Sequence, residues 1–154
     1  MPYLGLLSVN FTNFKRVLNH TKGLILSREI HRVTVKLKSQ FPDPKGNRIM
    51  AAMHEDLGID VEAVKTVQVY TTCLDESVDS IDTIAQELFH DPVVEEYTID
   101  DPIAESVLDF DWLFEIGFKP GVTDNVGRSS REGINDILGR KLDALEDIWT
   151  SYQV

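Results

Sequence analysis

The chain has 154 residues, of which 42% are hydrophobic and 27% are charged, as in one globular domain or two small fused subdomains. Its formal net charge of −11 argues against a nucleic-acid or anionic-membrane partner, because both require a basic surface. The single cysteine, Cys73, has no second thiol for an internal disulfide, and no apolar run reaches the ~20 residues of a membrane helix. These features favour a cytoplasmic protein.

The N-terminal segment, 1–29, differs in charge from the rest of the chain. It carries four basic residues and one acid, whereas the whole chain is strongly acidic. The apolar run at residues 3–9 has neither the preceding basic segment nor the following cleavage site of a signal peptide. We therefore expect residues 1–29 to be an N-terminal appendage.

Residues 30–105 show a strand-helix-strand-helix-strand pattern. The predicted elements are Ile30–Lys38, a helix that ends at Gly58, Val64–Tyr70, Val78–Leu88 and Val93–Ile99. Val67 and Val69 are expected to point into the core. Asp75 and Glu76, at the start of the second helix, are expected to be solvated and favourable to the helix dipole. Together these elements make up one repeat unit.

Residues 106–154 repeat the first part of this unit, and the upstream copy is the more degraded of the two. One constant difference in numbering aligns Asp124 with Asp43, Gly127 with Gly46 and Gly139 with Gly58. We expect the same difference to hold further along the chain, where it aligns Ile148 with Val67. The repeated glycines at the start of each helix are expected to adopt positive φ. The copy stops before a second helix and third strand, so the sequence predicts an incomplete unit, a fragment, with uncovered apolar surface.

The loop at residues 119–128 is the strongest candidate binding element. Two interpretations stay open: an anion could bind Gly121, Gly127 and Arg128 at the helix N-terminus, or Asp124 could cap that helix. The capping interpretation is favoured, because Asp124 and Glu132 would repel a phosphate.

No other set of residues has the spacing of a catalytic or metal-binding centre. The four histidines share no ligand spacing with one another or with Cys73, which lacks the flanking glycines of a glutaminase nucleophile. We therefore predict no catalytic residue, no metal ligand and no cofactor site in this chain.

Two segments resemble a known family. HRVTVKLK, the DPKG turn and DPVVEEYTID are similar to the small PurS-type subunit of phosphoribosylformylglycinamidine synthase. FKPGVTDNVGRSSREGINDILG is similar to the PurS-like N-terminal segment of the large, fused form of that enzyme, which is itself duplicated.

This resemblance implies a part in purine biosynthesis, in the ligase that uses ATP and glutamine-derived ammonia to convert formylglycinamide ribonucleotide to its amidine. It also implies that ATP and Mg²⁺ bind in a separate synthetase domain, and that glutamine is hydrolysed in a glutaminase domain or subunit. The PurS-like part would be non-catalytic and would bridge these two partners.

The sequence thus predicts an α+β fold of two tandem PurS-like, ferredoxin-related units at residues 30–105 and 106–154, with antiparallel sheets, helices on one face and the second unit truncated. The predicted function is a non-catalytic assembly domain that also forms a homo-oligomer. The alternative is a ferredoxin-like regulatory domain that binds a small molecule at the loop 121–128.

Overall fold

The computed structural model describes residues 5–7, 29–101, 110–119 and 121–154. Most of the predicted N-terminal appendage and of the linker between the two predicted units lies outside the described residues. Among those residues, no helix is both long and apolar enough to cross a membrane.

The described residues form one antiparallel sheet of six strands with three helices, which confirms the predicted α+β fold class. The strands are β1 (Gly5–Leu7), β2 (Glu29–Leu37), β3 (Val67–Leu74), β4 (Glu95–Ile99), β5 (Glu115–Gly117) and β6 (Asp147–Gln153). The helices are α1 (Pro44–Leu57), α2 (Val78–Ile84, continued by a wider π-helical turn at Ala85–Phe89) and α3 (Asn125–Leu138). The order across the sheet is β1-β5-β6-β3-β2-β4.

The two predicted units share one continuous sheet instead of forming separate ones. β3 and β6 pair along their length at its centre, from Val67 opposite Gln153 to Cys73 opposite Asp147. At one edge, Gly5–Leu7 pairs with Glu115–Gly117, so a short part of the N-terminal segment joins the sheet.

The helices lie on one face of the sheet and enclose the apolar core. Residues from strands and helices meet there: Val33, Val35, Leu74, Ile81, Ile84, Ala85, Phe89, Ile134, Leu142 and Ile148. Tyr152 points to the same face of β6 as the core residue Ile148, since the two are an even number of residues apart. α1 lies on this face as well, because Lys45 Nζ is 3.5 Å from the centre of the Tyr152 ring.

Val67 and Val69 are buried, as predicted, but not in this core. Tyr70 packs against the core cluster, and its neighbour Val69 must point to the opposite face of β3. That face also carries Thr71 and Cys73, both nearly fully buried. The sheet is therefore buried on both sides at its centre.

β3 begins and ends later than the predicted Val64–Tyr70. The cause is the turn before it, where Val64 and Thr66 contact the start of α1 instead of entering the strand ladder. The Thr66 N–H donates to the Asp43 carboxylate at 2.6 Å, so it is not available to a neighbouring strand.

Candidate functional site

Asp124 occupies the N-terminal end of α3 in the candidate loop. Its Oδ1 accepts a hydrogen bond from the Gly127 N–H at 2.8 Å, and its Oδ2 accepts one from the Thr150 N–H at 2.6 Å. The Thr150 hydroxyl donates to the same carboxylate. The loop therefore has the geometry of the capping interpretation, in which a carboxylate of the chain itself satisfies the free helix donor.

The other candidate residues of this loop, Gly121, Gly127 and Arg128, occupy different environments. Gly121 has a φ of 86° and provides the turn before the helix, and the Arg128 side chain is exposed. Gly127 is buried in the first turn. Anion binding at this loop stays a prediction, and an anion at the helix end would compete with the Asp124 carboxylate.

The start of α1 is built in the same way. Asp43 Oδ1 accepts from the Gly46 N–H at 2.8 Å, and Asp43 Oδ2 accepts from the Thr66 N–H at 2.6 Å and the Thr66 hydroxyl at 2.9 Å. Both helices also end on a left-handed glycine, Gly58 with a φ of 64° and Gly139 with a φ of 63°. The same cap thus occurs twice, at the constant offset found in the sequence.

The offset changes after the helices. We call the difference in numbering between Asp43 and Asp124 the helix offset. Thr66 and Thr150 are the threonines that bind the two caps, and we call the difference between their numbers the strand offset. The strand offset is the larger, because the second loop is three residues longer than the first.

The predicted match of Ile148 with Val67 is therefore wrong. Ile148 matches Val64 instead, because each of these residues places its carbonyl oxygen against the first-turn glycine of its helix. Val64 and Ile148 are separated by the strand offset, as Thr66 and Thr150 are.

Gly46 and Gly127 do not adopt the positive φ that was predicted for them. They are glycines because another segment lies against the helix. A Cβ on Gly46 would collide with the Val64 carbonyl oxygen, and a Cβ on Gly127 would lie 2.6 Å from Asp124 Oδ2 and 3.0 Å from the Ile148 carbonyl oxygen. A side chain is excluded by the Val64 backbone at Gly46, and by the Asp124 carboxylate together with the Ile148 carbonyl at Gly127, and not by turn geometry.

The longer second loop contains an ion-pair network that was not predicted from the sequence. Glu146 is 2% exposed and accepts two hydrogen bonds from the Arg140 guanidinium, at 2.7 and 2.8 Å. Arg140 Nη2 also lies 2.7 Å from Glu76 Oε1. Glu76 was expected to be solvated, but this contact holds it against the loop. No local pattern signals the network, because Glu76 and Arg140 are far apart in the sequence.

The network joins the start of α2 to the end of α3. Glu146 accepts further hydrogen bonds from the backbone N–H groups of Asp75 at 3.0 Å and Asp143 at 2.9 Å. Arg131, on α3, donates to the carbonyl oxygens of Leu142 at 3.2 Å and Asp143 at 2.7 Å. These bonds fix the two elements relative to each other.

A second ion pair links the predicted units across the opposite face of the sheet. Arg32 on β2 donates to Glu115 on β5 at 2.9 Å, and Ser151 donates to the same carboxylate at 2.7 Å. Burial acts to raise the pKa of Glu115, and the Arg32 charge and these hydrogen bonds outweigh it and lower that pKa.

We expect the folded chain to lose stability in acid, because several of its carboxylates have lowered pKa values. Hydrogen bonds from Arg140 lower the pKa of Glu146 to about 2, and hydrogen bonds from Gly46 and Thr66 outweigh burial to lower the pKa of Asp43. Because these groups bind protons more weakly in the folded chain, their stabilisation is complete above the unfolded pKa of ~4.5 and is lost as the pH falls towards 2. We expect the urea midpoint to fall steeply between pH 5 and pH 3.

The variant Glu146→Gln checks the assignment of this acid dependence. It removes a titrating group, so its urea midpoint should be lower at pH 7 but should change less between pH 5 and pH 3. An equally steep decline in the variant would mean that other carboxylates cause the dependence.

The described residues contain no group of three or more His, Cys, Asp or Glu side chains that could hold a metal ion. Cys73 is buried in β3. His31 Nδ1 lies 2.7 Å from Asp100 Oδ2, and Asp100 also accepts from the Arg32 N–H at 2.8 Å. These contacts fasten the residue after β4 to β2.

Comparison with known families gives a match for the first unit. Residues 30–101, slightly less than half of the chain, match the family model described as PurS: Phosphoribosylformylglycinamidine (FGAM) synthase. Neither the curated proteins nor the solved structures gave a match. The match covers the first predicted unit only. Residues 30–101 are therefore similar in sequence to the PurS family, and they lie within an α+β fold.

Proposed function

We propose that the chain is a non-catalytic assembly part of FGAM synthase that bridges its synthetase and glutaminase parts in the cytoplasm. The observation that carries this proposal is the PurS-like domain at residues 30–101, which shares its sheet with a second unit that has the same helix cap. In this proposal, ATP, Mg²⁺ and the glutamine nucleophile belong to those partners.

We further propose that residues 106–154 are a second PurS-like unit, as in the duplicated domain of the fused large enzyme. The ladder register supports this proposal. In the first unit Lys36 is opposite Val67, and in the second Gly117 is opposite Ser151. These are the same positions, because the helix offset takes Lys36 to Gly117 and the strand offset takes Val67 to Ser151.

The central strand pair supports the same interpretation. The strand offset takes Val67 to Ser151 and Val69 to Gln153, and the observed pairs are Val67 with Gln153 and Val69 with Ser151. Exchanging the two units therefore maps this ladder onto itself. This is the relation expected of two like units about a local two-fold axis.

The proposal is tested by mixing the purified chain with separately purified synthetase and glutaminase components of a PurS-dependent FGAM synthase, in the presence of glutamine and ATP. We expect sedimentation velocity to show one species that contains all three proteins. Without the chain, the other two should sediment apart. Independent sedimentation of the chain in every mixture would contradict the bridging role.

The chain alone is expected to hydrolyse neither glutamine nor ATP, with or without formylglycinamide ribonucleotide. Cys73→Ser is the control for trace activity, because Cys73 is the only thiol. Turnover that survives purification and disappears in this variant would support an enzyme in place of an assembly domain.

A further inference from the structure

α1 is covered less completely than α3. Gly46 is its only buried residue, and Leu57 near its end is 67% exposed. By contrast, α3 places Ile134, which is 0% exposed, in the core. α1 therefore keeps much of its apolar surface outside the core.

α1 and α3 differ in how well one side of each helix is covered by the rest of the chain. On α3 this side is covered by α2, because Leu88 Cδ1 lies 2.7 Å from the position that a Cβ on Gly133 would occupy. The helix offset relates Gly133 to Ala52 of α1, which is exposed. We refer to Arg48, Ile49, Ala52, Met53 and Asp56 as the α1 flank, since they follow one another at three- and four-residue spacing along one side.

Apart from the Asp43 carboxylate that caps its first turn, α1 carries its charges against the helix dipole. The first turn contains no acidic residue, and Lys45 and Arg48 lie in the first half, whereas Glu55 and Asp56 lie at the end. A helix dipole favours the reverse arrangement. Within the described ranges, neither Arg48 nor Asp56 belongs to an ion pair.

The same charges are complementary to a second copy of α1 in the antiparallel direction. Arg48 and Asp56 are equally far from Ala52 along the helix, so a two-fold axis at Ala52 places Arg48 of each copy beside Asp56 of the other. The small Ala52 side chain allows the helices to approach closely at that point. Ile49 and Met53, both half-buried in one copy, flank it and supply apolar surface.

We propose that the α1 flank is the contact through which two copies of this chain associate, with the α1 helices antiparallel about a two-fold axis at Ala52. Such a contact is isologous and closes after two copies, so it gives dimers and not filaments. It specifies the surface of the proposed homo-oligomer and does not depend on the synthase role.

Charge reversal tests this contact directly. Arg48→Glu and Asp56→Arg each turn two attractive pairs per dimer into two repulsive pairs, and each should weaken the dimer by roughly tenfold in sedimentation equilibrium. An equimolar mixture of the two variants should restore wild-type affinity as a mixed dimer, because both of its pairs are attractive. The double variant Arg48→Glu/Asp56→Arg should dimerise as the wild type does.

The matched controls are Asp136→Arg on α3 and Lys141→Glu after it, which reverse charges outside the α1 flank. They should leave the dimer unchanged. A monomeric wild type, or reversals without effect, would overturn the proposal. Weakening by both reversals with no restoration in the mixture would also overturn it and would indicate a different occupant, such as a helix of a synthase component. The assembly experiment with synthase components is independent of all these outcomes.

Discussion

Glu146→Ala is expected to lower the free energy of unfolding by about 3 kcal/mol, the lower end of the range for breaking a buried ion pair, because Arg140 stays partly solvated. Glu146 is 2% exposed and accepts from the Arg140 guanidinium and from the backbone N–H groups of Asp75 and Asp143. Removing the carboxylate takes this acceptor away from the guanidinium and from both backbone N–H groups.

Urea denaturation at pH 7 measures this loss, with Glu132→Ala as the control because Glu132 is exposed on α3. The control should change the free energy of unfolding by less than about 0.5 kcal/mol. The double variant Glu146→Ala/Arg140→Gln separates the Glu146–Arg140 pair from the rest of the network. Because both single variants break this pair, the loss of stability in the double variant should be smaller than the sum of the two single losses. Additive losses would show that Glu146 acts through its backbone hydrogen bonds alone.

Gly46→Ala is expected to lower the free energy of unfolding by about 2 kcal/mol, although alanine is the better helix former. The new Cβ would collide with the Val64 carbonyl oxygen, which belongs to the backbone and cannot rotate away as a side chain can. The displacement would also disturb the Asp43 cap, whose carboxylate binds both Gly46 and Thr66.

Gly133→Ala is the matched control in denaturation experiments. Its Cβ would also meet a close neighbour, but that neighbour is the end of the Leu88 side chain, which is 37% exposed and can move. We expect a loss well below that of Gly46→Ala, or a small gain. Equal losses at the two positions would mean that rigid backbone contact is not what requires glycine at position 46.

The sequence was sufficient to predict most elements of the fold. Alternation along β2 and helical spacing in α1 and α3 identify these elements, because one face of each is apolar. Gly58 and Gly139 end their helices as predicted, since a left-handed residue is needed there. Asp43 and Asp124 share the capping geometry that was favoured for Asp124.

The errors have a common cause in contacts between distant residues. The loop before β6 is longer than its counterpart, and a fixed offset cannot show this until Thr66 and Thr150 are seen on their caps. Likewise, Glu76 has the sequence pattern of a solvated helix start, and only the position of Arg140 in space makes it part of a network. Burial of Val69 away from the helices depends on the register of β3 against β2 and β6.

The central claim, an assembly domain without chemistry of its own, is tested most directly by the rate of amidine formation in a synthase reconstituted from separate components. With glutamine as the nitrogen source, adding the chain to synthetase and glutaminase should raise the rate, because the proposed bridge brings the source of ammonia to the site that consumes it. With free ammonium as the nitrogen source, the chain should leave the rate unchanged. An equal rise with ammonium, or no rise with glutamine, would contradict the account.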